Sequence, residues 1–137
     1  GYAVARETLY ATTRAMNKNL VVLSGDTHNA WANNLDDSQG QVVGVEFACS
    51  SVSSPGLEEY LPDVPPTVLG NGAMQLIDTL VFADTHRRGY TVVTLTPTEA
   101  RADWHFVDSV KAKTYQATLD RSLRVLPGAG NRRLVSV

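Results

Sequence analysis

The sequence predicts an α/β fold in a single domain that covers residues 1–137. Three patterns favour this fold class. An amphipathic segment at residues 3–17 leads through a short polar loop into the wholly apolar run Leu20–Leu23, as in half of an α/β unit. A second apolar run, Val42–Cys49, follows a turn. A strictly alternating segment, Ala100–Val107, follows another turn, which is typical of a β-hairpin.

The composition is that of a globular protein and narrows the classes of function. Of the 137 residues, 43% are hydrophobic and 19% are charged, which excludes a disordered or fibrous chain. The net charge of −2 argues against general nucleic-acid binding, because that activity needs a basic surface. No apolar run approaches the ~20 residues that span a bilayer. We therefore predict no membrane segment, and no targeting segment is recognised in the chain.

Residues 3–17 are predicted to form an amphipathic helix, which ends at the polar residues 17–19. Glu7 and Arg14 are expected to face water, and the apolar side of the helix recurs at helical spacing through Ala5, Leu9, Thr12 and Met16. Leu20–Leu23 is then predicted to be a short strand that is buried on both faces of a sheet.

The next segment predicts a hairpin. Trp31–Leu35 leads into a turn at Asp36–Gly40, and the strand Val42–Cys49 follows. Cys49 is the only cysteine of the chain, so no internal disulfide is possible. Free cysteine usually packs as a small hydrophobic residue, and we expect a buried, unreactive thiol.

Residues 50–73 are predicted to form a long loop with at most one helical turn. They hold four of the six prolines, and loops of this length in a compact domain are often functional. We interpret the Ser-Ser-Pro-Gly segment, Ser53–Gly56, as a tight loop near the rim of an active site. The following segment, Met74–His86, fits a helix and a strand equally well, and both alternatives stay open.

A second hairpin is predicted near the C-terminus, from the strands Tyr90–Leu95 and Ala100–Val107 around a turn at Thr96–Glu99. The second strand alternates, so one face carries Asp103 and His105 and the other carries Ala102, Trp104 and Phe106. One more strand is predicted from Tyr115, Ala117 and Leu119, and Pro127–Gly130 is expected to be a loose end.

The charges are segregated along the chain. No lysine or arginine occurs between Lys18 and Arg87, whereas nine aspartates and glutamates fall in that interval. The segment after Asp108 is mostly basic. Solvated surface explains such runs in general, but the acidic part also suits a cation site.

Asp26 and His28 are the candidate site residues. They stand two positions apart, directly after the apolar run that ends in Gly25. A carboxylate and an imidazole are suitable ligands for hard or borderline metal ions. The alternative is a local role, because loop aspartates and histidines also cap helices and make turns.

Other polar side chains are weaker candidates. His86 and His105 are expected at the surface. Arg87 and Arg88 suit phosphate oxygens because a guanidinium forms paired hydrogen bonds, but pairing with nearby acids is the favoured interpretation. Trp31 and Tyr90 are expected to be packing residues.

The order and spacing of five segments resemble the PhoD-like alkaline phosphatase family. These segments cover roughly residues 1–110: Gly1–Arg6, Val21–Trp31, Gly44–Phe47 with Ser51–Gly56, Arg88–Tyr90, and Ala102–Asp108. The resemblance implies a metallophosphoesterase-type sandwich, in which two sheets pack face to face between helices. It also implies hydrolysis of phosphate monoesters or diesters at a multinuclear metal centre of iron with calcium, and a periplasmic or secreted location.

Within the resemblance, only Asp26 and His28 match the family's metal-binding motif. Asp26 stands where related phosphoesterases have the first histidine of a Gly-His-x-His segment, and His28 is also the candidate catalytic residue. The other ligands of the family have no counterpart here, so we expect the chain to be the C-terminal portion of a phosphatase, inactive by itself. The alternative is a non-catalytic α/β domain with a structural or self-association role. An uncovered sheet predicts homo-oligomers, since burying apolar surface is favourable by about 25 cal/mol per Å².

Overall fold

The structure is a computed structural model that describes residues 2–137, so that Gly1 of the first matching segment lies outside the described residues. Eleven elements follow one another. They are α1 (Ala3–Ala15), β1 (Leu20–Ser24), β2 (Ala30–Asp36), β3 (Val42–Ala48), α2 (Leu57–Tyr60), α3 (Pro66–Leu76), β4 (Leu80–Asp84), β5 (Gly89–Leu95), β6 (Ala100–Val107), β7 (Ala117–Val125) and β8 (Val135–Ser136).

The strands form two four-stranded sheets that pack face to face, which confirms the predicted α/β sandwich. The first sheet has the order β1-β3-β2-β4, and only the β1–β3 pair is parallel. The second sheet is antiparallel in the order β5-β6-β7-β8. Trp104 joins the sheets because its ring lies 5.7 Å from that of Phe47 and 5.3 Å from that of Phe82.

Both predicted hairpins are confirmed. In the first, β2 pairs with β3, and in the second, β5 pairs with β6 from Gly89 opposite Phe106 to Leu95 opposite Ala100. The alternation of β6 places its apolar face in the core, where Ala102, Trp104 and Phe106 are all buried. The period-two pattern was sufficient for this prediction because one face of the strand meets the other sheet and the opposite face does not.

The predicted environments of the first helix and the first strand are wrong. In α1 the buried residues are Tyr10 and Thr13, whereas Leu9, on the predicted apolar side, is 50% exposed. The strand β1 lies at an edge of its sheet and is not buried on both faces, since Leu23 is 60% exposed. Both residues belong to surfaces that no other element of residues 2–137 covers, and sequence hydropathy does not report which surfaces are covered.

The predicted long loop is also wrong in part. The helix α3 begins with proline at its first turn, where the missing N–H costs nothing, and it lies against β4. Its Gly70 allows the close approach, because a Cβ atom there would stand 3.1 Å from the Ala83 carbonyl oxygen. The ambiguous segment 74–86 divides into the end of this helix and the strand β4. Cys49, predicted to be buried, is only partly buried because it lies just beyond the inter-sheet core at the end of β3.

No helix within residues 2–137 combines the length and the apolarity that crossing a bilayer requires.

Candidate metal site

Three loops meet at one end of the first sheet. The last residues of β1 and β3, Ser24 and Ala48, are register partners, and the last residue of β4, Asp84, pairs with the first residue of β2. The loops that follow β1, β3 and β4 therefore leave the sheet at the same edge. The candidate residues Asp26 and His28 belong to the first of these loops. Ligand sites commonly form where several strand ends converge in this way.

The loop between β1 and β2 is sharply bent. Asp26 has a φ of 73° and His28 a φ of 61°, both in the left-handed region. The Thr27 N–H donates to the Gly25 carbonyl oxygen over 2.9 Å, and this bond between residues two positions apart closes a γ-turn around Asp26. A non-glycine residue whose backbone adopts the left-handed region costs of order 1–3 kcal/mol of conformational free energy. Such residues persist only where neighbouring contacts hold them, often at functional sites.

The imidazole of His28 is oriented by the loop after β3. Its Nδ1 lies 2.8 Å from the carbonyl oxygen of Pro55. A carbonyl oxygen only accepts hydrogen bonds, so Nδ1 carries the proton and donates it. In the neutral ring, Nε2 is then the unprotonated nitrogen, and its lone pair is directed away from Pro55. Metal-binding histidines are commonly fixed in this way, with one ring nitrogen bonded to a carbonyl and the other bound to the ion.

The carboxylate of Asp26 is exposed to solvent. A carboxylate and a neutral imidazole form a donor set that fits a hard or borderline cation. Within residues 2–137, no group of three or more histidine, cysteine, aspartate or glutamate side chains is placed to hold a metal ion. The described residues therefore present two candidate ligands and not a complete coordination shell.

Asn29 was missed as a candidate by the sequence analysis. It is 1% exposed. Its Nδ2 donates to the Thr27 carbonyl oxygen over 2.7 Å, and its Oδ1 accepts from the backbone N–H of Leu57 at 3.3 Å. The sequence signal was weak, because a single asparagine after a turn normally serves that turn alone. Here its side chain joins two loops.

Arg87 and Arg88 are paired with acids, as the sequence analysis favoured. Arg87 donates to Asp84 at 2.6 Å and to Asp120 at 2.8 Å. Burial acts to lower the pKa of Arg87, but these two hydrogen bonds, to Asp120 and to Asp84, outweigh it and hold this pKa above its usual value. The buried Arg88 is paired with Glu58. Both guanidinium groups are thus engaged in ion pairs with acids.

The two remaining histidines are partly buried, which corrects their predicted place at the surface. His86 Nδ1 lies 3.5 Å from Asp84 Oδ1. The ring of His105 stacks on that of Tyr90, with centroids 5.0 Å apart. The neighbour of His105 is its cross-strand partner in β5, which the local sequence pattern does not report.

A groove opens beside the His28 loop. It encloses about 470 Å³, and its walls include Pro55, whose carbonyl holds His28, together with Ser53, Glu58, His86, Arg88 and Lys111. Both signs of charge occur along it. Residues 53–56, interpreted from the sequence as the rim of an active site, contribute Ser53 and Pro55 to its walls.

Comparisons with known proteins give a consistent result. A model of the PhoD-like phosphatase family matches residues 1–104. The chain is 30% identical over 123 residues to alkaline phosphatase D of Bacillus subtilis (strain 168), a match that covers 80% of this chain and 19% of that protein. A solved structure of PhoD has a TM-score of 0.73 at 22% identity, over 98% of this chain and 26% of that one. The chain thus spans about a fifth to a quarter of the length of these relatives.

Proposed function

Because the chain belongs to the PhoD-like phosphatase family, we propose that it forms part of the active site of a longer enzyme that hydrolyses phosphate monoesters or diesters. In this proposal Asp26 and His28 are metal ligands, and the remaining ligands come from polypeptide outside residues 1–137. The length of the relatives and the pair of candidate ligands both support this division of the site.

The observation that carries the proposal is the orientation of His28. A protonated Nδ1 bonded to Pro55 leaves Nε2 as the ligand atom, and the Asp26 carboxylate adds negative charge in the same loop. When bound, metal ions polarise phosphoryl oxygens and activate water as a nucleophile at neutral pH. We assign the catalytic role to His28 as well, because its Nε2 would hold an ion of that centre beside the reacting phosphate. Iron with calcium and a periplasmic or secreted location complete the proposal, on family resemblance.

A non-catalytic role is the second candidate, and one observation favours it for the isolated chain. Large apolar side chains are exposed on β1 and α1, among them Leu23 and Leu9. Surfaces of this kind are typical of contacts with another chain or with the rest of a larger protein. A structural or self-associating domain would use them without any metal.

The test compares single variants of the full-length protein. Asp26→Ala and His28→Ala are expected to lower the bound metal per polypeptide and to abolish hydrolysis of an aryl phosphate. His105→Ala is the matched control, because His105 stacks on Tyr90 on the face of β6 opposite the core residues Trp104 and Phe106, and it is expected to retain both properties. The 137-residue chain alone is expected to show negligible hydrolysis with added iron and calcium. Unchanged metal content in both loop variants, or robust turnover by the isolated chain, contradicts the proposal.

A further inference from the structure

We propose that Asn29 is a positioning residue for the metal site. Its side-chain amide holds the loop of Asp26 and His28 in its bent conformation and joins that loop to the segment that orients His28. This inference rests on the proposed function, because it assigns Asn29 a role toward ligands that the function requires.

The first contact fixes the backbone between the two candidate ligands. Asn29 Nδ2 donates to the carbonyl oxygen of Thr27, the residue that separates Asp26 from His28, over 2.7 Å. Both neighbours of Thr27 have φ values in the left-handed region, 73° and 61°, so the Thr27 peptide groups are held in an orientation that the chain does not favour by itself. A bond to this carbonyl therefore stabilises the conformation that sets the directions of both ligand side chains.

The second contact joins this loop to the loop after β3. Asn29 Oδ1 accepts from the N–H of Leu57 at 3.3 Å. Leu57 lies two residues after Pro55, whose carbonyl accepts from His28 Nδ1. The amide and the imidazole thus attach the same short segment at points two residues apart, so the amide contact helps to hold the carbonyl that orients the ring.

Burial makes these contacts consequential. Asn29 is 1% exposed, and a buried polar group that loses its partner costs about 1–3 kcal/mol. The space around the amide is also filled, because a Cβ atom at Gly56 would stand 2.7 Å from Asn29 Oδ1. The amide oxygen therefore packs closely against the glycine segment.

The experiment measures Mn²⁺ binding by the full-length protein, stripped of metal, through the electron paramagnetic resonance of the free ion. Asn29→Ala removes both contacts, and Asn29→Asp keeps the acceptor but turns an oxygen toward the Thr27 carbonyl. Both variants are expected to weaken Mn²⁺ binding about 10–100-fold, the usual effect of losing a group that orients a ligand.

Asn34→Ala is the matched control. Asn34 is a buried asparagine of β2, the strand that follows Asn29, and its Oδ1 accepts from the Leu134 N–H at 2.9 Å, in a contact remote from the loop. Its replacement is expected to lower the free energy of unfolding while Mn²⁺ affinity stays unchanged. A purely structural role for Asn29 predicts the same outcome for both asparagines, and that result would overturn the proposal.

Two further variants keep the outcomes distinct. Gly56→Ala leaves Asn29 in place but adds a Cβ atom that would stand 2.7 Å from Asn29 Oδ1, 2.8 Å from Glu58 Oε2 and 3.0 Å from the Thr85 carbonyl oxygen, and it serves where the Asn29 variants do not fold. It is also expected to weaken Mn²⁺ binding, and unchanged binding refutes the inference.

His28→Ala tests the premise that His28 is a metal ligand. If it leaves Mn²⁺ binding intact, the proposed function fails. If it weakens binding while the Asn29 and Gly56 variants bind normally, only the role of Asn29 fails.

Discussion

Replacing Trp104 by phenylalanine is expected to lower the free energy of unfolding of the chain by about 2–4 kcal/mol, by the estimates below. Trp104 is 1% exposed and lies between the sheets, against Phe47 and Phe82. Its Nε1 donates to the Ala48 carbonyl oxygen over 3.0 Å. Ala48 is the last residue of β3, directly before the loop that orients His28, so this bond also fixes where that loop begins.

The magnitude has two parts. Phenylalanine cannot donate, so the Ala48 carbonyl loses its partner in the core at a cost of about 1–3 kcal/mol. The smaller ring also leaves a space of roughly 40 Å³, which at about 24 cal/mol per Å³ adds about 1 kcal/mol. Trp104→Ala enlarges the cavity and is expected to cost more, at the upper end of the range of about 3–5 kcal/mol for such truncations.

The assay is urea unfolding followed by circular dichroism, with the slope of the free energy against urea concentration as a check that the compactness of both states is unchanged. Trp31→Phe is the control, because Trp31 is only partly buried and its Nε1 donates to the exposed Thr27 hydroxyl. We expect this variant to lose about 1 kcal/mol or less. The reasoning is refuted if Trp104→Phe costs no more than Trp31→Phe at equal slopes.

Three other predictions concern an ion pair, a carboxylate and the sheet edge. Arg88→Met leaves Glu58 without its buried partner, so its unfolding free energy is expected to fall by about 3 kcal/mol, with partial recovery when Glu58→Gln is added. Burial acts to raise the pKa of Asp103, but hydrogen bonds from Arg101 and from the Ser122 hydroxyl outweigh this effect and lower the pKa. The stabilisation by the Asp103 carboxylate is therefore complete above the ordinary pKa of aspartate and is lost as the pH falls through the lowered value. Asp103→Asn is expected to make the free energy of unfolding depend less on pH in this acid range. An unchanged pH dependence contradicts the prediction. Leu23→Lys places a charge on the exposed edge strand β1 and is expected to reduce self-association, measured as the average molar mass in light scattering. Equal molar masses for the variant and the unaltered chain count against a contact through this edge.

Much of the fold was predictable because its signals are local. The alternation of Ala102, Trp104 and Phe106 identifies a strand with one buried face, and the flanking turns identify its hairpin partner. The helix α3 escaped prediction because its glycines and prolines are typical of loops, while packing of Gly70 against β4 is what stabilises it. Periodicity reports the faces of an element, but not which of these faces another element covers.

The sequence by itself determined most of the strands, the two hairpins and the placement of Asp26 and His28 directly after an apolar strand, because these features depend on neighbours within a few residues. Only the tertiary structure decided that the carbonyl of Pro55, 27 positions away, orients His28, and that Asn29 joins the same two loops. The physical reason is that these contacts exist only where the parallel pairing of β1 with β3 brings both strand ends to one edge of the sheet. No local preference of the chain encodes that meeting point.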